Sequence, residues 1–446
     1  MAADRFCYDS GYPAFHKRAS RRRFGGARMR RFGVNRLVLT SAVVLLLGAG
    51  VTAQAPNDLM QNAAVKAALA GAKASEAQTI EDQIRFCEIP APSFKEEVRG
   101  RELQRVFTQL GLQNVRVDKV GNVLGVYPGA APHPHLVIAA HLDTVFPEGT
   151  DVKVKREGNI LRSPGIADDC RGLAVLVAIV REMRKADVRT PGTITFVANV
   201  GEEGLGDLRG VKELFNTTLK GQIDNFISID GTGVHVTNVA VGSHRYRMTF
   251  KGPGGHSFGA FGRANPMGAM GRAIAKIQEI QVPRQPKTTF NVGTIGGGTS
   301  VNSIPFEGWM ELDMRSSDPA SLADVDAKIQ KAIDTSVVEE NARWGKPGVI
   351  TVEKKLVGDR PAGNTPENSP IVRAGLATAT ALGFSANLGE GSTDSNIPMS
   401  LHIPSITIGG GGRGTDAHAL TESFDMTDAW QGTQHAMLLV ISLVQK

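Results

Sequence analysis

The sequence predicts an α/β protein: a mostly parallel central sheet carrying helices, with a compact α+β unit inserted into it. Three observations lead there. Apolar runs without polar alternation, such as Leu136-Val137-Ile138-Ala139-Ala140, suit strands buried on both faces of a parallel sheet. These runs alternate with helical stretches, the pattern of a layered α/β domain. Near Gly242 the texture changes to alternating strands and two long helices, and it reverts after Pro361.

In order, the Ala-rich stretch 57–82 reads as a helix that the Pro90 and Pro92 region breaks. Residues 96–110 read as a second helix ending near Gly111. Strands are expected at 115–117, 122–127 and 136–140, a strongly apolar helix at 170–185, and further strands at 193–200 and 226–229. In the inserted unit, 246–250, 288–294, 306–315 and 349–356 read as strands, and 266–280 and 322–342 as helices. A helix at 371–382 and a buried strand at 405–410 complete the larger domain. The expected division is a leader at 1–55, a catalytic domain at 56–243 and 358–446, and the insertion at 244–357.

A length of 446 residues allows two or three domains. The formal charge is +6. Residues 1–36 hold ten Lys/Arg and two Asp/Glu, so 40 basic and 42 acidic residues remain beyond them. The body therefore offers no electrostatic footprint for nucleic acid. Arg28, Arg30, Arg31 and Arg36, the apolar run 37–50 and Ala53-Gln54-Ala55 have the order of a secretory signal. Export with cleavage after Ala55 is expected, an uncleaved anchor being the alternative. The run is short for a membrane span. Beyond the leader only Cys87 and Cys170 remain, which excludes a disulfide scaffold and a cysteine-rich zinc module.

Chemistry-bearing residues gather where strands end. His141 and Asp143 follow the 136–140 run; if the strand continues through them, both point to one face, and Asp143 can orient a metal-bound His141. Asp168-Asp169 opens the 170–185 helix, where a carboxylate can cap the helix or bridge cations. Glu202-Glu203 follows the 193–200 strand, Asp230 the 226–229 strand, and His418 a Gly-rich loop. Each is a common surface feature taken alone. Together, imidazoles and carboxylates at the carboxyl ends of parallel strands suit a catalytic zinc site, with cobalt or manganese as substitutes.

HLDTVF, GIADDCRG, GEEGLGDLRG, SIDG, GPGGHS, NSIP, LDMRS, STDSN and AHALTE occur in that order. This set resembles the M20 family of two-zinc amidohydrolases and peptidases, whose members include glutamate carboxypeptidase, aminoacylase, acetylornithine deacetylase, succinyl-diaminopimelate desuccinylase and tripeptide aminopeptidase. Cys170-Arg171 stands where relatives often carry Lys-Gly, and the context of Glu422 after the final His is slightly varied. The resemblance implies a zinc-peptidase-like catalytic domain with an inserted dimerisation or lid domain. It implies one zinc on His141 and Asp230, another on Glu203 and His418, and Asp168 bridging them. It makes Glu202 the general base, Asp143 the partner of His141, and Asp168–Asp169 a cis peptide. His256 would reach the partner subunit's site and help bind the oxyanion, and Asn302 and Arg315 would hold the substrate's carboxylate or backbone.

The implied activity is hydrolysis of amide bonds in short peptides by water that two zinc ions activate. An N-acyl amino acid deacylase on the same site is the alternative, and a catalytically silent binding protein the reading of another class. Other roles stand beside these: Arg315 also suits a surface ion pair and Asn302 a turn before Pro305, while Thr393, Asp394 and Ser395 suit either a pocket wall or, as the favoured reading, a capped loop. His133, His135, His244 and His402 read as surface or packing residues.

Overall fold

The computed structural model describes residues 56–345 and 349–445; the leader expected at 1–55 lies outside them. After a four-residue helical turn at Pro56–Leu59 come three longer helices, α1 (Ala63–Ala74), α2 (Glu76–Cys87) and α3 (Glu97–Gln109). The single helix expected over 57–82 is divided. Asn62 Oδ1 accepts from the amides of Ala64 and Val65 at 2.9 and 3.2 Å and starts α1 afresh. Ser75 then separates α1 from α2.

There follow β1 (Gln113–Val117), β2 (Val123–Tyr127), β3 (His135–His141), α4 (Cys170–Lys185), β4 (Thr193–Asn199), β5 (Asn225–Ile229) and β6 (Val236–Ala240). The inserted unit comprises β7 (Gly242–Lys251), α5 (Pro266–Gln278), β8 (Thr288–Gly297), β9 (Glu307–Ser316), α6 (Pro319–Arg343) and β10 (Thr351–Arg360). The chain then returns through α7 (Pro370–Ala381), β11 (Ser405–Ile408) and α8 (Trp430–Leu443).

The central sheet runs β1-β2-β4-β3-β5-β11-β6, with short strands Gly363–Asn364 and Leu388–Gly391 pairing β6. Its middle, β4-β3-β5-β11, is parallel; β1, β2 and β4 pair antiparallel on one side, and β11 with β6 on the other. The sheet is thus mixed, with a parallel centre. Every residue of β3 is buried. Leu136, Ile138 and Ala140 pack on the face shared with α4 and α8, whereas Val137 and Ala139 pack on the other with Leu208, Val211 and Phe226. Both faces being covered is why the run shows no polar alternation.

The inserted sheet, β8-β9-β7-β10, is wholly antiparallel. Met248, Phe250, Met310, Leu312 and Met314 pack against α5 and α6 in a separate core. Burial along β9 alternates residue by residue, as one covered face requires. The root strands β7 and β10 run past the junctions expected at 244 and 357, and Arg360 is the last residue of β10. No helix among the described residues is long and apolar enough to cross a membrane.

Candidate metal centre

His141 is the last residue of β3 and is almost fully buried. Its Nδ1 lies 3.0 Å from the backbone carbonyl of Asp143, an acceptor only, so Nδ1 carries a proton. Nε2 then faces Asp168 Oδ1 at 2.9 Å. A neutral imidazole would set a lone pair against a carboxylate there, so the pair calls for a proton or a cation. His418 repeats the arrangement: its Nε2 lies 3.2 Å from Asp168 Oδ2 and 3.0 Å from Glu203 Oε1. The two oxygens of Asp168 are thus each addressed by one imidazole.

Two donor groups result. His141, Asp168 and Asp230 offer ligand atoms within 4.8 Å of one another, and so do Asp168, Glu203 and His418. Glu202 joins His141 and Glu203 in a third such group. The structure brings together all five residues expected as ligands. Their mixed imidazole and carboxylate chemistry fits zinc, cobalt or manganese.

The electrostatics show how much negative charge is crowded here. Burial and the nearby Asp168 push the Asp230 carboxyl well above its usual range. Burial, with Glu202 and Asp168 adding repulsion against the His418 bond, lifts Glu203 to about 7. His418 is pushed up to about 10 by its bonds to Asp168 and Glu203. For His141, burial opposes protonation, but the Asp143 and Asp168 carboxylates outweigh it and hold its pKa well above the ordinary imidazole value. Divalent cations neutralise such a set far better than protons on two imidazoles.

Asp143 has a second task besides facing His141. Its carboxylate is 3.7 Å from His141 Nδ1, and its backbone carbonyl makes the hydrogen bond. The carboxylate also accepts from Glu202 N at 2.9 Å, Glu203 N at 3.1 Å and Ser93 Oγ at 2.7 Å. It clamps the loop that carries both glutamates. Asp169 caps α4 through Gly172 N at 3.0 Å and also accepts from His141 N at 3.1 Å, so capping belongs to Asp169 and Asp168 is left for the cluster. The Asp168–Asp169 peptide is cis.

A cavity of about 510 Å³ opens over these groups, and Arg245, Arg315 and Arg360 also line it. Arg360 is 4% exposed and donates through Nη1 to Glu202 Oε1 at 2.9 Å and through Nη2 to the Glu202 carbonyl. Arg245 Nε and Arg315 Nε share the two oxygens of Asp313 at 3.0 and 2.8 Å, and Arg245 Nη1 reaches the Gly204 carbonyl at 2.8 Å. Arg315 is therefore both ion-paired and in the cavity wall. Arg245 and Arg360 were not singled out from the sequence; the Arg next to Pro361 is the one signal that stood there to be read. Asp394 is also part of this neighbourhood rather than a loop cap: it is fully buried, bonded to Asn199 Nδ2 at 2.7 Å, and lifted to about 7 by burial and Glu202.

His256 and Asn302 do not join the cluster of their own chain. They are neighbours on the inserted unit, where Ser257 N donates to the Asn302 carbonyl at 2.9 Å. His256 is exposed, and its Nδ1 accepts from Phe258 N and Gly259 N, both at 3.2 Å. Those two donors fix the neutral ring with its proton on Nε2, facing outward as a donor.

The model of peptidase family M20/M25/M40 matches residues 137–441. The chain belongs to this family. M20 members are metal-dependent hydrolases of peptide and amide bonds, and that general activity is this protein's. Among similar proteins, the uncharacterized protein YqjE of Bacillus subtilis (strain 168) is 23% identical over 348 residues, covering 75% of this chain and 90% of that one. Carboxypeptidase G2 of Pseudomonas sp. (strain RS-16) is 26% identical, covering 60% of this chain and 64% of its own. The succinyl-diaminopimelate desuccinylase of Bordetella avium (strain 197N) is 26% identical, covering 48% and 62%. The chain thus spans under two thirds of the latter two. The fold is shared with aminopeptidase PepT of Bacillus cereus ATCC 10987, with a TM-score of 0.66 at 20% identity over 83% of this chain and 99% of that one. It is shared also with Bacillus subtilis YXEP, described as a dinuclear metal-binding M20 peptidase, with a TM-score of 0.62 at 16% identity over 83% and 99%.

Proposed function

We propose that this M20 protein hydrolyses amide bonds in short peptides, and that His141 and Asp230, and Glu203 and His418, with Asp168 common to both sets, would hold two zinc ions. The observation that carries the reading is the pair of imidazole Nε2 atoms set on the two oxygens of one carboxylate. Zinc held by these residues would supply Lewis-acid chemistry, making a water more acidic and the scissile carbonyl more electrophilic. Glu202 accepts the proton from the attacking water and delivers it to the leaving nitrogen. Arg360 fixes Glu202 through its side chain and its carbonyl, so the base is oriented before substrate enters.

His256 supplies its Nε2–H to the oxyanion of a partner subunit's substrate; removal of one such donor costs about 10²–10³ in rate. A homodimer through the inserted unit is therefore part of the proposal. Its support is the edge position of β8 and the exposure of Phe258, Phe261 and Val301 close to His256 in sequence or in the strand pair. Export by the leader remains a proposal as well, carried by the sequence alone.

The relative named desuccinylase and the arginines of the cavity favour a second reading, deacylation of N-acyl amino acids on the same machinery. Assaying the zinc-loaded protein on di- and tripeptides beside N-acetyl and N-succinyl amino acids separates the two. Glu202→Ala should keep both metal equivalents and lose turnover. A variant with wild-type turnover, or a wild-type protein that takes up no divalent metal, overturns the proposal.

A further inference from the structure

We propose that Glu422 is a positioning residue that holds the turn bearing Asp168 against the hairpin bearing His418, so that the ligand geometry is set before any ion arrives. The inference rests on the metal-centre reading above and adds to it a residue that touches no ligand side chain.

Glu422 is 1% exposed. Its Oε2 accepts from Gly165 N at 2.9 Å, and its Oε1 from Ala167 N at 2.9 Å and Asp168 N at 3.1 Å. Three amides of one four-residue turn thus converge on a single carboxylate. The backbone is tied too: Ser163 N donates to the Glu422 carbonyl at 3.2 Å, and Glu422 N donates to Ala419 O at 3.0 Å. These amides belong to a turn ahead of α4, not to a helix or a sheet ladder, so without Glu422 they have no acceptor among the described residues.

The other end of the link is equally fixed. Glu422 directly precedes the strand Ser423–Asp425, which pairs with Arg413–Thr415 to form a hairpin with His418 in its connection. Thr415 Oγ1 and Ser423 Oγ close that hairpin at 2.8 Å. Ser423–Asp425 also pairs with Ile160–Arg162, just ahead of the Asp168 turn. His418 itself sits at φ 67°, a left-handed conformation that a non-glycine residue adopts only where surroundings enforce it. On the far side of the turn there is no slack: a methyl at Gly165 would lie 2.7 Å from Thr144 Cγ2. The carboxylate joins the turn to the hairpin through three bonds at once. Its length of reach and its two oxygens suit that task. A glutamine would offer one acceptor oxygen and turn an NH2 towards amides that are themselves donors.

The test uses the full chain with Zn²⁺ as the probe. Hydrogen exchange of the metal-free protein is followed over residues 163–171 in wild type, Glu422→Gln and Glu422→Ala, alongside Zn²⁺ titration by calorimetry. Glu422→Ala should speed exchange at Gly165, Ala167 and Asp168 by at least about tenfold and weaken Zn²⁺ binding by about 10–100-fold. Glu422→Gln should fall between it and wild type. Exchange within β3 should not change, which separates positioning from general destabilisation. If Glu422→Ala does not fold, the same two readings on Glu422→Gln decide. Wild-type exchange across the turn, or Zn²⁺ affinity in the folded variant within about twofold of wild type, overturns the inference while leaving the metal centre intact. A wild-type protein that binds no Zn²⁺ would sink the proposed function instead, and the exchange arm would still decide the role of Glu422.

Discussion

Asp143→Asn discriminates between two accounts of the residue beside His141. If its carboxylate mainly orients the imidazole, the amide should disturb His141. The structure assigns that contact to the Asp143 backbone carbonyl, which the substitution leaves in place. What changes is the clamp on Glu202 N and Glu203 N. An asparagine has one acceptor oxygen and one NH2, so in either orientation one of these two amides meets a donor. Losing a hydrogen bond to a charged acceptor costs about 1.5–3 kcal/mol, and leaving a buried N–H without a partner adds about 1–3 kcal/mol. The local penalty is therefore about 2.5–6 kcal/mol, concentrated on the loop that carries the proposed base Glu202 and the proposed ligand Glu203. Misplacement of Glu202 by an ångström should lower kcat by about 10²-fold, with a loss of metal affinity of about tenfold. Steady-state kinetics, Zn²⁺ titration and hydrogen exchange over residues 200–206 report the three effects. Unchanged exchange across that loop, with kcat within about twofold of wild type, refutes the clamp.

Three other expectations follow from the same geometry. His435 is fully buried, donates through Nε2 to Gly375 O at 2.8 Å, and has its pKa pushed down to about 4 by burial. The unfolded chain binds that proton near pH 6.5, so between these values it holds more protons than the native state, and stability falls as pH drops from 6.5 towards 4, by about 3 kcal/mol in all. His435→Gln should flatten that limb of a urea-denaturation series against pH; an unaltered slope counts against the assignment. A methyl at Gly432 would lie 2.1 Å from Gly410 C and Gly411 N, so Gly432→Ala must push α8 off the loop that leads to His418. Overpacking of that kind costs about 1–3 kcal/mol, and a melting temperature unchanged within about 2 °C would contradict it. Arg245→Met should raise KM about tenfold or more for a substrate with a free carboxylate, and much less for its carboxamide counterpart, since hydrogen bonds to a charged group are worth about 1.5–3 kcal/mol; equal effects on the two would remove Arg245 from substrate binding.

What was legible in the sequence follows from what positions each residue. His141, Glu202, Glu203 and Asp230 sit at or just beyond the ends of buried central strands, so an apolar run followed by an acid or imidazole located them. The parallel centre was readable for the same reason, whereas the antiparallel flanks were not, because strand direction at an edge depends on chain connections rather than on local pattern. Arg360 and Arg245 escaped because each has a partner across the junction between the insertion and the body: Arg360 and Glu202 are 158 positions apart, Arg245 and Gly204 41. Glu422 is 254 positions from Asp168. Single residues acting at such separations leave no periodic trace. The clamp that the Asp143 carboxylate makes on Glu202 N and Glu203 N was not legible, since backbone and side-chain acceptors of one residue are indistinguishable in a motif.

The insertion is wired into the chemistry rather than hung beside it. Asp168, Glu203 and Asp230 precede it in the chain and His418 follows it, so the centre closes only when both halves of the larger domain meet through β5 and β11. The two root strands then send side chains back: Arg245 on β7 to the Gly204 carbonyl, and Arg360 on β10 to Glu202. Backbone contacts run in parallel, from Asp359 N to Asp207 Oδ1 at 2.8 Å and from Lys212 Nζ to the Asp359 carbonyl at 2.9 Å. A tilt of the inserted sheet about its root must therefore move or break the bonds that orient Glu202. Under the proposed roles of Glu202 as base and Arg315 as a substrate contact, a substrate spanning the cavity that both line would resist that tilt, which would couple binding at the insertion to alignment of the base.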